Sequence, residues 1–207
     1  KVYCYFPRKS QEGQIHQAKR YIRHRDPGSK VCVFYPPGFD IDTCKVDFSH
    51  EVGRYSVELL LQSLHTALED ADADYVIKCS AMTLPASPAQ IPSAMADFAG
   101  NSEELTASGV HPGYYVLKRE AVEKMLGGVS NFTQDNPGGD GVAIPSLMKE
   151  LGLSYNIHPW GTGFLAGWSY DLEETYDFKR FSTQKAITFA VSTPERADTV
   201  ATMRSLL

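Results

Sequence analysis

Three kinds of side chain in this sequence could handle a charged substrate. The first is cationic. Arg8 and Lys9 follow an apolar run, and Arg54 comes just after Gly53 where a helix opens. A positive side chain beside the unpaired amides of a helix start can meet a phosphate, or can simply be a solvated helix start. The second kind is carboxylate. Asp40-Ile41-Asp42 follows a strand-like run and suits a uracil or ribose contact or an ordinary loop, Asp70, Asp72 and Asp74 alternate through one turn, and Asp140 stands before a helix. Alternating carboxylates can hold a hard divalent ion, but they also suit a solvated turn between helix and strand. Asp140 reads as an N-cap or as a catalytic carboxylate. The third is imidazole: His158, in a loop, is a metal ligand or a surface histidine.

These residues need elements to position them. Val2 to Phe6 reads as a buried strand, residues 11–25 as a helix, and Lys30 to Tyr35 as a second strand closed by Pro36-Pro37-Gly38. That is a βαβ opening, which favours a parallel sheet with a right-handed crossover. Val57, Leu60, Leu61, Leu64 and Leu68 give the clearest helical stripe, over about 54–69. A strand over 74–79 follows, and Thr83-Leu84-Pro85 closes its far end. Residues 86–108 carry a short helical piece near 91–98. Further on come a strand at 114–117, a helix at 119–126 stopped by Gly127-Gly128, and a polar loop from 130 to 141. A helix at 142–151, a strand at 155–158, a strand at 186–191 and a final helix capped by Thr193 and Pro194 complete the reading. In open α/β sheets, ligands bind beyond the carboxyl ends of parallel strands. Residues 7–10, 36–42 and 80–83 therefore matter most. Asp72 and Asp74 fall at the amino end of their strand.

Composition narrows the classes. Of 207 residues, 43% are apolar, enough for one domain with a normal core. No run of 18 apolar residues spans a membrane, and no signal peptide is expected, since Val2 to Phe6 reads as a strand. The net charge of −5 gives no case for nucleic acid. Residues 1–30 nevertheless hold eight Lys or Arg, either a solvated helix face or an anion-attracting end suited to a diphosphate. Cys4, Cys32, Cys44 and Cys79 lack CxxC spacing and read as buried free thiols of a reducing compartment. A cytoplasmic protein is expected, and a start at Lys1 suggests one domain of a longer chain. GxGxxG, GxxxxGK[ST] and GxSxG are absent, which removes dinucleotide, P-loop and serine-hydrolase readings. Asn131-Phe132-Thr133 is a glycosylation sequon without meaning unless the chain is secreted.

Several segments, taken in order, carry a resemblance. Ala73-Asp74-Tyr75-Val76-Ile77-Lys78 followed by Thr83-Leu84-Pro85 resembles the central stretch of GT-A fold glycosyltransferases. His111-Pro-Gly-Tyr-Tyr-Val-Leu-Lys-Arg-Glu-Ala resembles their strand-and-helix unit near the acceptor, and Asp140-Gly-Val-Ala-Ile their acidic helix start. His158-Pro-Trp-Gly-Thr-Gly resembles a late histidine loop of retaining members. The likeness covers about residues 1–165. Within the family, size and wording resemble the capsid-glycosylating enzymes of chlorella viruses, which would place the chain in host cytoplasm.

The resemblance implies one domain over 1–207, with a mixed, mostly parallel sheet of about six strands between helices. Residues 1–85 would bind the nucleotide and 86–207 would face the acceptor. It implies a UDP-sugar donor, a glycan or glycoprotein acceptor, and transfer of a hexose or deoxyhexose, with retention favoured by the His158 loop. Arg8, Lys9, Arg54, Lys78, Ser80 and Met82 would meet the donor. His111, Tyr114 and Trp160 would meet the acceptor, Tyr114 and Trp160 by stacking or else as core. Asp140 would lie near the anomeric carbon and His158 on a Mn²⁺ or Mg²⁺ ion, with Asp72 and Asp74 as weaker ligands. One departure stands out. The family's Asp-x-Asp should follow Cys79, where this chain has Ser80-Ala81-Met82. Such side chains bind a hard ion poorly. Two rivals remain: a sugar nucleotidyltransferase, and a degenerate domain that binds nucleotide or glycan without turnover.

Overall fold

The computed structural model describes residues 1–9, 11–53, 56–81, 83–85, 96–102, 113–129, 140–159, 168–169 and 188–191. The chain opens with β1 (Val2–Phe6), α1 (Glu12–Arg25) and β2 (Lys30–Tyr35), then β3 (Phe48–Glu51), α2 (Val57–Asp70) and β4 (Tyr75–Ser80). It continues with β5 (Thr83–Pro85), β6 (Phe98–Ser102), β7 (Tyr114–Lys118), α3 (Arg119–Gly128) and α4 (Asp140–Glu150). It ends with β8 (Tyr155–Pro159), β9 (Trp168–Ser169) and β10 (Thr188–Val191). Among the described residues no helix is long and apolar enough to cross a membrane.

The main sheet has seven strands in the order β3-β2-β1-β4-β7-β6-β8. Its β3, β2, β1 and β4 run parallel, β7 is antiparallel to both neighbours, and β6 and β8 pair in parallel. A smaller sheet joins β5, β10 and β9. β1 is apolar throughout, and β2 is apolar after Lys30, because both faces are covered, as parallel strands require. From β1 the chain steps outward through α1 to β2, whereas α2 carries it back across from β3 to β4. Right-handed crossovers in opposite directions put α1 and α2 on opposite faces. Val2, Cys4, Cys32, Phe34, Val76 and Tyr115 then pack against the stripe Leu60, Leu61, Leu64 and Leu68. The alternate residues Tyr3, Tyr5, Val31, Val33 and Tyr114 are buried on the other face, as are Ile15, Ala18 and Ile22 of α1.

The boundaries differ from the sequence reading where a local contact decides them. α2 starts at Val57 because the Ser56 hydroxyl accepts from Leu59 N at 3.1 Å. β3 was unread: Phe48-Ser49-His50-Glu51 is polar and short, and only pairing with β2 makes it a strand. Phe98, expected at a helix end, opens β6, where its ring lies 5.4 Å from that of Tyr115. α3 ends at Gly128, two residues later than expected, with both glycines inside its last turn; a Cβ on Gly128 would fall 2.9 Å from Leu151 Cδ2, so the glycine permits close packing. α4 begins at Asp140, two residues before the expected start. Residues 86–95 and the helix expected from Thr193 lie outside the described residues.

Candidate active site

The strand order reverses between β1 and β4, because successive strands are laid outward from β1 and then on its other side. At such a switch point the loops leaving the two carboxyl ends diverge and leave a crevice. A cavity of about 630 Å³ lies there. Phe6, Pro7, Arg8 and Lys9 enter it from the end of β1, and Phe34 and Pro36 from the end of β2. Val52 and Gly53 follow β3, Leu59 and Leu60 come from the first turn of α2, and Lys78 and Asp140 form the far wall. The Phe6 and Phe34 rings stack at 5.4 Å and 17°, giving that side an aromatic lining. Lys9 lies against Gly38, whose φ of +78° closes the Pro36-Pro37 turn; a Cβ there would come within 3.1 Å of Lys9 Cε.

Lys78 and Asp140 form the chemical centre of this wall. Lys78 sits inside an otherwise apolar strand and is 6% exposed; Asp140 is 8% exposed. Lys78 Nζ lies 2.9 Å from Asp140 Oδ2, and the Tyr115 hydroxyl donates to the same oxygen at 3.0 Å. Tyr115 is the direct cross-strand neighbour of Lys78, so the two share a face. The ammonium also lies 5.4 Å from the centre of the Tyr115 ring. This carboxylate is held in place by an ammonium and a phenol, both on the same oxygen. It is suited to sit beside developing positive charge rather than to remove a proton.

Of the residues singled out in the sequence, Arg8, Lys9, Lys78 and Asp140 line one cavity. Ser80 ends β4 beside Phe6 of β1, at the carboxyl edge, followed by buried Ala81. Asp72 and Asp74 are exposed at the amino end of β4, Asp72 with φ of +45°; they do not join the cavity. Tyr114, expected to stack on an acceptor, is fully buried on the face away from Lys78, and is a core residue. Asp40 and Asp42 are exposed in a loop, where Asp40 N donates to Glu12 Oε1 at 3.4 Å, and neither lines the cavity. His158 lies in β8, its backbone opposite Asn101. Arg54, Met82, His111 and Trp160 lie outside the described residues. The sequence reading missed Tyr115 and the Phe6–Phe34 wall. Lys78 was the available signal, since a lysine in a buried strand needs a nearby anion and a donor to help hold it.

The four cysteines are free and buried, as the sequence implied. Burial pushes the Cys79 thiol up to about 12, and Cys4 well above the ordinary thiol range. Neither is a nucleophile. The described residues fit a divalent ion poorly in the cavity. It is lined by three cations and one carboxylate, and Lys78 already engages that carboxylate. A hard ion bridging a diphosphate needs oxygen ligands that are not already neutralised.

No protein-family model matches the chain, and no curated protein matches it. Solved structures do. The chain is similar to a glycosyltransferase involved in glycosylation of the major capsid of PBCV-1, with 8% identity, a TM-score of 0.58 and 98% of each chain covered. It is also similar to the galactosyltransferase LgtC in complex with donor and acceptor sugar analogs, with 10% identity, a TM-score of 0.58, and 100% of this chain and 94% of that one covered. A third similar structure is the mannosyltransferase PcManGT from Pyrobaculum calidifontis in complex with GDP-Man and Mn²⁺. There the identity is 15% and the TM-score 0.51, with 76% of this chain and 54% of that one covered. At these identities the likeness is one of architecture: this chain has the GT-A fold.

Proposed function

We propose that this chain is a glycosyltransferase that moves a hexose or deoxyhexose from a UDP-sugar to a glycan acceptor. The observation that carries the reading is the switch-point cavity, with an aromatic wall on one side and Arg8, Lys9, Lys78 and Asp140 around it. Flat rings suit a base, and the three cations suit a diphosphate. In this reading Arg8 and Lys9 stabilise the departing diphosphate, and the amides at the start of α2 face the same anion. Asp140, held by Lys78 and Tyr115, lies beside the sugar ring, where its carboxylate favours positive charge at the anomeric carbon, in keeping with a retaining reaction. His111 and Trp160 would meet the acceptor. Mn²⁺ in the PcManGT complex keeps a divalent ion open, with His158 as its ligand here, but no step above depends on one.

Calorimetry with UDP, with and without Mn²⁺, followed by a UDP-sugar hydrolysis assay, tests this. The expected result is UDP binding that Arg8→Ala weakens, together with slow donor hydrolysis. Absence of binding by any nucleotide would sink the reading. Ser80-Ala81-Met82 at the expected Asp-x-Asp position favours a second reading, a domain that binds nucleotide without turnover. UDP binding with no hydrolysis at any Mn²⁺ concentration would select it.

A further inference from the structure

A second set of ligating side chains lies away from the cavity, between the far end of α2 and the β2–β3 edge of the sheet. Cys32 of β2, His50 of β3 and Asp70 of α2 each bring a donor atom within 4.8 Å of the other two. They come from three elements and are distant in sequence, so the fold rather than local chain geometry assembles them. Cys32 is fully buried and forms the floor. His50 and Asp70 form the mouth, with side chains 38% and 29% exposed, and His50 Nε2 lies 2.6 Å from Asp70 Oδ2. The His50 ring is held flat against Phe34, at 5.1 Å and 18°.

We propose that Cys32, His50 and Asp70 form a three-ligand site for a borderline-soft divalent ion, zinc by preference, with its fourth position open to water. One sulfur, one imidazole and one carboxylate match the tetrahedral preference of zinc, and a sulfur ligand disfavours Mn²⁺ and Mg²⁺. The electrostatics favour a cation independently of the donor set. Asp70 is the last residue of α2, where the helix dipole is negative, and α2 carries no basic residue in its last turn. Glu69, Asp72 and Asp74 add negative charge on either side. Arg119 answers part of this by donating to Leu68 O at 2.9 Å, which leaves the Asp70 side to His50. Burial and the nearby Asp70 push the Cys32 thiol up to about 12, so binding must displace one proton from Cys32 while His50 binds as the neutral ring. The ion would tie edge strand β3 to β2 and α2. Through His50 and Phe34 it would also brace the aromatic wall of the cavity.

The test uses the whole protein, stripped with a chelator and titrated with Co²⁺ as a spectroscopic stand-in for zinc. One equivalent of Co²⁺ should give a thiolate-to-cobalt charge-transfer band and the intense visible bands of a tetrahedral site, both bleached by Zn²⁺. Asp70→Asn, on the surface and tolerant of folding, should weaken Zn²⁺ by more than about tenfold. Cys32→Ser should remove the charge-transfer band, and Cys44→Ser should leave it intact. Zn²⁺ should raise Tm with the logarithm of its excess over Kd. A stripped protein that takes up no Co²⁺, or a band that survives Cys32→Ser, would overturn the site. These readouts involve no nucleotide, so they stand or fall apart from the glycosyltransferase reading.

Discussion

The two ends of α2 lie about 20 Å apart and are built for opposite charges. At its start, Ser56 caps the helix, Leu59 and Leu60 face the cavity, and Arg8, Lys9 and Lys78 gather around the same space. At its end, Asp70 closes on His50 above a buried thiol, with Glu69 and Asp72 alongside. The helix dipole runs from the first to the second, so each cluster reinforces the sign already there. The pairs at the two ends also differ in depth. Lys78–Asp140 is nearly closed from water, with side chains 8% and 12% exposed, while His50–Asp70 is open to it. Of similar length, they should differ severalfold in what their loss does. A buried pair is expensive to form and more expensive to break, whereas an open pair is nearly neutral.

The largest expected effect follows from this. Asp140→Ala leaves the Lys78 ammonium buried without its carboxylate, and should destabilise the fold by about 3–5 kcal/mol. A shift in urea midpoint at unchanged slope measures it. Replacing both partners, as Lys78→Met with Asp140→Leu, should recover most of that loss. It should still abolish donor hydrolysis if the pair serves chemistry. A double variant as unstable as the single one would show that packing, not charge, sets the penalty.

Next comes Arg8→Ala. A charge-assisted contact to phosphate is worth about 1.5–3 kcal/mol, so UDP affinity should fall by roughly tenfold to a hundredfold, with little change in stability. The same calorimetry in rising salt should weaken the wild-type protein more than the variant, because one cation fewer is screened. At the same end of α2, Ser56→Ala removes the Leu59 cap and should cost about 1 kcal/mol in the urea midpoint.

How much of this arrangement was legible depended on whether one segment carried its own signal. β1 is a continuous apolar run, β2 is one after Lys30, β4 is apolar but for Lys78 and Ser80, and α2 has a five-residue stripe, so their places followed from local pattern alone. Knowing these, the carboxyl-edge rule selected Arg8 and Lys9 from sequence alone, whereas Lys78 came only from the resemblance. β3 has no such signal. Its four residues alternate half-buried and exposed, and its partner is 16 residues back in the chain, at Cys32↔Phe48. Missing β3 hid the second cluster, since without that strand His50 is a loop residue unrelated to Cys32 or Asp70. Tyr115 was hidden for a related reason. Its role depends on cross-strand register with Lys78, and on which of two adjacent tyrosines faces α2. Pairing across sixteen or thirty-seven residues is a tertiary fact, and one sequence does not encode it as a pattern.

The smallest effect is the one that separates the two ends most cleanly. In chelator, His50→Gln removes only an open pair with Asp70, and should change stability by less than about 1 kcal/mol. That sets it well below Asp140→Ala, although the pair it breaks is the shorter of the two. Glutamine keeps a polar group of similar reach against Phe34, so the stack loses a ring but no cavity opens in the core. A loss as large as that of Asp140→Ala, measured by the same urea midpoint in chelator, would contradict the ordering by depth. It would mean that His50 holds β3 in place through Phe34, and that the far end of α2 is as tightly built as the near one.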